Sequence, residues 1–499
     1  MSAPDSAETQ RPLVALRSAA GAWLIVATVL SSIVGFLDAN VINVAVPAIK
    51  RDLGGGATEL QFVVTGYLLT VASLLLLSGS LSDRFGRRRV LQVGLLVMLL
   101  ASVLCCVAPT LGWLIAARVV QGAGGALVVP SSLAMLNGTL RMGDRARGIG
   151  IWAGLATLGT TVGPFAGGWL VDNASWRWVF LLNIPIIVLA LIVLRLVPEV
   201  VKKVKTAHAD LPGALLAVVG LGGTTYALTA GPSAGWLQPL VVLAGVVGVA
   251  ALVGLVLVER KSPSPMMRLS LFSSRQFSAI NITTVLLYGG MAAAGYLLVL
   301  RCELQLGYTA AQAGAVLIPE SAVFLLLSPL SGVLVTRIGP RWLMVAGITA
   351  VALAFVLLSG ASPGQSYVQA ILPGALAWGL GAGLLVTPLT ASVLAAVRDA
   401  DLGEASAIND GASRVGALLV TALVPVLIGS TGGMELALAV DRGYSSAMIV
   451  MAVLAAASAV VTGIFVSNAR GAALQMTPGP RVNSCAIPLV DRPVGTKQP

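Results

Sequence analysis

The chain has 499 residues, of which 57% are hydrophobic and only 10% charged, with 31 Lys and Arg against 20 Asp and Glu. Soluble globular chains carry about 25% charged residues, so this composition excludes a soluble domain and assigns most of the chain to lipid. The net charge of +11 could suggest nucleic acid, but the cations alternate between loops instead of forming one face, which excludes that partner and reads as membrane topology.

Residues 1–18 are polar and lack a cleavage-site pattern, so they read as a cytoplasmic segment and not as a removable signal. Six apolar runs follow, at about 19–49, 60–81, 90–108, 111–140, 148–171 and 179–197. About 20 apolar residues cross the hydrocarbon core, so residues 19–197 form an expected six-helix bundle. A linker, 198–276, carries a basic loop ending at His208, two inserted spans at about 211–230 and 236–258, and a Pro/Ser-containing loop. Six further runs lie within 277–468, at about 278–300, 311–336, 342–358, 370–397, 405–428 and 446–466. The Pro-rich tail, 469–499, has no apolar run and is expected to be disordered. The sum is an all-α polytopic membrane protein of about 14 transmembrane helices. The polar–apolar alternation of a transmembrane barrel is missing.

Basic residues fill every second loop: Arg84, Arg87, Arg88 and Arg89; Arg141, Arg145 and Arg147; Lys202, Lys203 and Lys205; Arg260, Lys261, Arg268 and Arg275; Arg337 and Arg341. The intervening loops hold only Lys50, Arg51, Arg177, Arg301 and Arg442. The positive-inside bias places both termini in the cytoplasm. The four cysteines offer no disulfide framework, and with one histidine no metal or cofactor site is expected.

The basic turn GSLSDRFGRRR, Gly79 to Arg89, returns in weaker form as GVLVTRIGPR, Gly332 to Arg341. Gly79 aligns with Gly332, Arg84 with Arg337, Gly86 with Gly339 and Arg88 with Arg341, whereas Asp83 has become Thr336 and Arg87 has become Pro340. A second echo links GGALVVP, ending at Pro130, with GLLVTP, ending at Pro388. Duplicated sets of membrane helices are the mark of secondary transporters.

These motifs resemble the major facilitator superfamily. GSLSDRFGRRR is similar to its cytoplasmic loop signature, which implies a conformational latch built from Gly79, Asp83, Arg84, Gly86, Arg87 and Arg88. RVVQGAGGALVVP, Arg118 to Pro130, resembles the span-four motif of proton-coupled members. GTTVGPFAGG resembles the span-five signature of exporters, carried here by Gly159, Gly163, Pro164, Gly167 and Gly168. FLDANVINVAVP, WRWVFLLNIP and SAINDGASRVG resemble spans one, six and thirteen of the fourteen-helix drug:proton antiporters. The resemblance implies two six-helix bundles with an inserted helix pair and alternating access.

Charges inside a span cost about 2.5–3.5 kcal/mol on insertion scales, so the few present are functional candidates. Asp38 and Arg118 come out near one depth by helical rise. Burial disfavours an ionised carboxylate and a nearby guanidinium favours it, so a motion separating the two would gate proton uptake; a static ion pair is the alternative. Glu320 falls near the middle of span ten, as a substrate-binding or second-proton candidate. Asp410 is a further candidate, although with Arg414 four residues on it also forms an expected intrahelical pair. Arg301 and Glu303 are expected to snorkel at a helix end. Trp152, Tyr288, Tyr296, Phe324 and Trp378 are candidate pocket aromatics, with packing or lipid contact as the ordinary alternative.

The expected function is proton-coupled export of amphipathic drugs or antibiotics across a bacterial cytoplasmic membrane, with the small-molecule substrate, protons and the bilayer as partners and a monomer as the working unit. Export of an endogenous metabolite by the same fold is the second reading. An enzyme is disfavoured, and without a G-x-x-x-x-G-K-[ST] loop an ATP-driven pump would need a separate ATPase.

Overall fold

The computed structural model describes residues 14–198, 210–262, 267–398, 401–430 and 435–468; the basic loop before His208, Cys485, the tail and the side chain of Asp83 lie outside the described set. The long helices are α1 (Ala19–Val41), α2 (Ala57–Phe85), α3 (Arg87–Cys106), α4 (Leu111–Thr139), α5 (Met142–Asn173), α6 (Asn183–Leu196), α7 (Leu211–Ala234), α8 (Pro239–Lys261), α9 (Arg275–Leu304), α10 (Ile318–Ile338), α11 (Pro340–Ser359), α12 (Leu372–Ala395), α13 (Leu402–Ala422) and α14 (Leu436–Phe465). A 3-10 turn, Ile42–Ala45, carries α1 onward into a short helix, Val46–Leu53, and another short helix, Ala310–Ala315, precedes α10.

Among the described residues, 12 helices are long and apolar enough to cross a membrane. The two that fall outside that set, α5 and α13, occupy the places of expected spans five and thirteen. In α13 the polar residues Asn409, Asp410 and Arg414 lower the hydropathy, whereas part of α5 lies outside the described side chains. A lipid-embedded backbone must satisfy its own polar groups, so the chain is helical and the ends are capped. Ser18, Thr110, Gln238, Ser274 and Thr309 each accept a bond from the first turn of the helix they precede.

The echo in the sequence has a backbone counterpart. Gly86 joins α2 to α3 at φ 92° and Gly339 joins α10 to α11 at φ 91°, a region in which side-chain-bearing residues are strained. Both sit at the same step of the repeat. Gly79, by contrast, has no steric need to be glycine here.

Helices α1 to α6 pack on one another, α5 and α6 against α1 and α4 against α2 and α3. Helices α9 to α14 form a second packed set, with α12 on α10 and α11, and α13 and α14 on α9. The pair α7–α8 leans against α2 and α13, and α8 contributes an almost wholly exposed apolar surface. Contacts between the two sets lie toward the end opposite the basic turns. Gln61 Nε2 donates to the Thr421 carbonyl at 2.7 Å, Lys50 faces Glu435 at 3.8 Å, and the Asp172 carboxylate accepts the backbone N–H groups of Ala310 and Ala311 at 3.0 and 2.8 Å.

Candidate functional site

Asp38 lies in the last turn of α1 and is fully buried, as is Arg118 on α4. Arg118 Nη1 donates to Asp38 Oδ2 at 2.5 Å and to Gln121 Oε1 at 2.9 Å, and Nε donates to the Val63 carbonyl at 3.1 Å. Asp38 Oδ1 accepts Gln121 Nε2 at 2.8 Å and Asn183 Nδ2 at 2.7 Å. Ser102 Oγ, on α3, accepts from both amides at 2.9 and 3.4 Å. Helix spacing explains the convergence: Gln121 is one turn after Arg118 and shares its face, while Asn183 opens α6, which packs beside α1 and α3.

The guanidinium also lies 4.5 Å from the Tyr67 ring and 5.9 Å from the Phe180 ring. Two aromatic faces and a carbonyl stabilise this cation independently of its carboxylate.

A buried pair broken on one side leaves an uncompensated charge that costs about 3–5 kcal/mol. Arg118→Met is expected to lower the thermal midpoint of the purified protein, and adding Asp38→Asn to it is expected to recover most of that loss. Scanning fluorimetry of both variants in detergent checks this; additive losses would mean the two side chains are not coupled in the fold.

The other sequence candidates take different places. Glu320 is in the first turn of α10, half-buried, and accepts from Ser321 Oγ at 3.0 Å. The expected continuous span is broken at Val316 and Leu317, before Pro319 restarts the helix, so Glu320 stands near a helix start and apart from Asp38. Asp410 faces Arg414 at 3.8 Å, four residues on, as expected. Arg414 also lies 5.6 Å from the ring of Phe36, two residues before Asp38, and so connects the second helix set to α1. Asn409 donates to Thr284 Oγ1 at 2.8 Å and holds α13 against α9.

Arg301 does not snorkel. It is buried, donating to Asp441 Oδ1 at 2.7 Å and to the Ala361 carbonyl at 3.3 Å, with Tyr444 beneath it. Its partner lies on α14, too far along the chain for local spacing to reveal. Among the aromatics, Trp152 donates to Ser32 Oγ, Tyr296 is buried, and Trp378 packs edge-on against Phe355, so these three are core. Tyr288 and Phe324 are half-buried.

The span-five motif presents two surfaces. Gly159, Gly163 and Gly167 recur every fourth residue and let α5 approach the backbone or side chains of Ile33, Leu37 and Val41 on α1. On the other surface, a Cβ at Gly168 would collide with the backbone of Ala310, and one at Gly314 with the backbone of Pro164. Both collisions fall between the two helix sets. At the basic turn, Arg87 Nη1 donates to the Ala134 carbonyl within α4 at 2.8 Å and Arg88 Nη1 to the Val197 carbonyl at the end of α6 at 2.9 Å, so both arginines bind helices of their own set. Arg84 is exposed and stacks 5.2 Å from Phe85.

Comparison with known proteins follows these features. A family model described as Major Facilitator Superfamily matches residues 28–300 and 280–484. The chain is similar to the puromycin resistance protein of Streptomyces alboniger, 35% identical over 438 residues that cover 86% of this chain and 85% of that one. It is also similar to the multidrug resistance protein Stp of Mycobacterium tuberculosis, 36% identical over 401 residues, 79% of this chain and 73% of that one. In fold it is similar to the inward-open xylose transporter XylE from E. coli, with a TM-score of 0.62 at 15% identity, covering 91% of this chain and 98% of that one.

Proposed function

Since the chain belongs to the major facilitator superfamily, we propose that it exports amphipathic drugs or antibiotics across a bacterial cytoplasmic membrane in exchange for protons, with both termini cytoplasmic and one chain as the working unit. The buried Asp38–Arg118 pair carries this reading, because charges inside a span are costly and mark ion and proton pathways. The names of the resistance proteins it resembles give the substrate class.

Residues 19–197 and 277–468 act as the two rocking bodies. With the end opposite the basic turns closed, cargo enters from the cytoplasm or the inner leaflet and reaches Glu320, Asp410 and Arg414. The bodies then pivot along the Gly159–Gly168 surface of α5. Cargo leaves outward, a proton reaches Asp38, and an inward-moving unit charge gains about 2.3 kcal/mol per 100 mV of membrane potential. Gly79, Asp83, Arg84, Gly86, Arg87 and Arg88 serve as the cytoplasmic latch when the cycle turns outward.

The test is expression in an efflux-deficient bacterium, screened against a panel that includes puromycin, with and without a protonophore. Resistance that disappears with the proton gradient supports the proposal. Resistance that survives the protonophore, or none to any compound beside accumulation of a secreted metabolite, would point to the endogenous-solute reading.

A further inference from the structure

We propose that Asn183 is the positioning residue that lets Asp38 exist in two protonation states inside a dry cage, by turning its carboxamide over when the proton arrives. The inference rests on Asp38 as the proton carrier. In the present arrangement the ionised carboxylate accepts three side-chain bonds: one from Arg118, one from Gln121 and one from Asn183. All three partners are donors. A protonated Asp38 acquires an O–H that must itself find an acceptor, because a buried donor left without one is costly.

The acceptors within reach differ in what they already hold. Gln121 Oε1 is taken by Arg118 Nη1 and by the Cys105 thiol at 3.5 Å. Ser102 Oγ takes N–H bonds from both amides. Asn183 Oδ1 is buried and accepts no hydrogen bond among the described residues. It belongs to the same planar carboxamide whose Nδ2 now faces Asp38 Oδ1 at 2.7 Å. The two ends of a carboxamide have nearly the same shape and opposite hydrogen-bonding character, so a half-turn about χ2 exchanges donor for acceptor at Asp38, with the NH2 taking the place that Oδ1 now holds. Gln121 cannot make the same exchange, since a half-turn would set its NH2 against Arg118.

The proton adds to Asp38 Oδ1, the new O–H donates to Asn183 Oδ1, and release of the proton reverses both changes. Arg118 stays in place throughout, held by the Val63 carbonyl, Tyr67 and Phe180. Among the described residues, the ionisable groups that face Asp38 from the surrounding helices are Arg118 on α4, Tyr67 on α2 and Cys105 on α3, with Arg414 of α13 reaching Tyr67. None of them supplies the missing acceptor. Asn183 comes from the WRWVFLLNIP segment, which also supplies Phe180 beside Arg118.

Two measurements test this. In pH-difference infrared spectra of the reconstituted protein, with asparagine carboxamides carrying ¹³C, acidification is expected to shift one amide band. That shift should vanish in Asp38→Asn and in Asn183→Leu. No amide shift in the wild type, or a shift that persists in Asn183→Leu, overturns the proposal. The second measurement is the pH profile of puromycin export from proteoliposomes. Bonds to an ionised group are stronger than those to a neutral one, so Asn183→Leu weakens ionised Asp38 more than protonated Asp38. Proton release then needs a more alkaline medium, and the alkaline limb should move up by about one pH unit, with partial return in Asn183→Gln. Puromycin counterflow, which needs no net proton turnover, reports whether the variant still folds and moves drug. An unmoved pH profile with intact counterflow removes Asn183 from proton handling and leaves the exporter reading standing. A wild type that ignores the proton gradient would sink the exporter reading instead, while the infrared bands still report on Asn183.

Discussion

Asp38→Asn is expected to abolish proton-driven export while the protein still inserts and folds. The substitution keeps the shape of the side chain and an oxygen that can accept from Arg118, and Arg118 retains its carbonyl and aromatic contacts. What it removes is the carboxylate proposed as the proton carrier. Positioned proton-transfer groups contribute about 10²–10⁴-fold to rates, so export driven by an imposed pH gradient in inside-out vesicles should fall by about 100-fold or more. Counterflow of the same drug at equal pH on both sides should be retained. Normal gradient-driven export by the variant would mean that the coupling carboxylate lies elsewhere, with Glu320 and Asp410 the next to examine.

Gly168→Leu is expected to trap the transporter away from the conformation described here. Gly168 lies against the backbone of Ala310 in the opposite helix set, and backbone cannot swing aside as a side chain can. Overpacking costs about 1–3 kcal/mol, and because the clash exists in one conformation only, it biases the two-state equilibrium by about 10–100-fold. Turnover should fall accordingly. A cysteine introduced near Asp172, at the end opposite the basic turns, should become readily labelled by an impermeant maleimide applied from outside. Gly150→Leu is the matched control, on the same helix with open space where its side chain would go. Equal labelling in the two variants would show that this contact does not hold the closed end.

The sequence revealed the parts whose physics is local or expensive. Gly86 and Gly339 were legible because a tight, basic turn repeated in register, and both adopt the left-handed backbone that the repeat implies. Asp38 and Arg118 stood out because ionised groups are rare in apolar spans, and helical rise alone brought them to one depth. Gln121 and Asn183 did not stand out, since neutral amides cost little in a helix and their value lies in what faces them. Gln121 could have been found from its spacing to Arg118; Asn183 depends on α6 reaching α1, which is a tertiary fact. Arg301 was misread for a similar reason, because Asp441 sits where charges near a helix end are ordinary. The turn at Val316–Leu317 was not legible, because hydropathy does not register a break that is apolar throughout, and Glu320 still lies within the span Ala310–Val335.

The inserted pair has a consequence for how a greasy molecule could arrive. Helix α7 touches α2 from the first set and α13 from the second, with Leu221 packed among Ala72 and Leu418, Thr229 bonded to the Ala422 carbonyl at 3.4 Å, and Ser233 to Thr58 at 2.6 Å. It therefore splints one of the two seams along which the bodies part. Among the described residues the opposite seam, between α5 and α10, has no such helix pair over it and is held by the short helix Ala310–Ala315 against α5. A solute arriving through the bilayer is therefore expected to find the α2–α13 flank walled by α7, so the inserted pair decides from which side the space between the bodies can be reached.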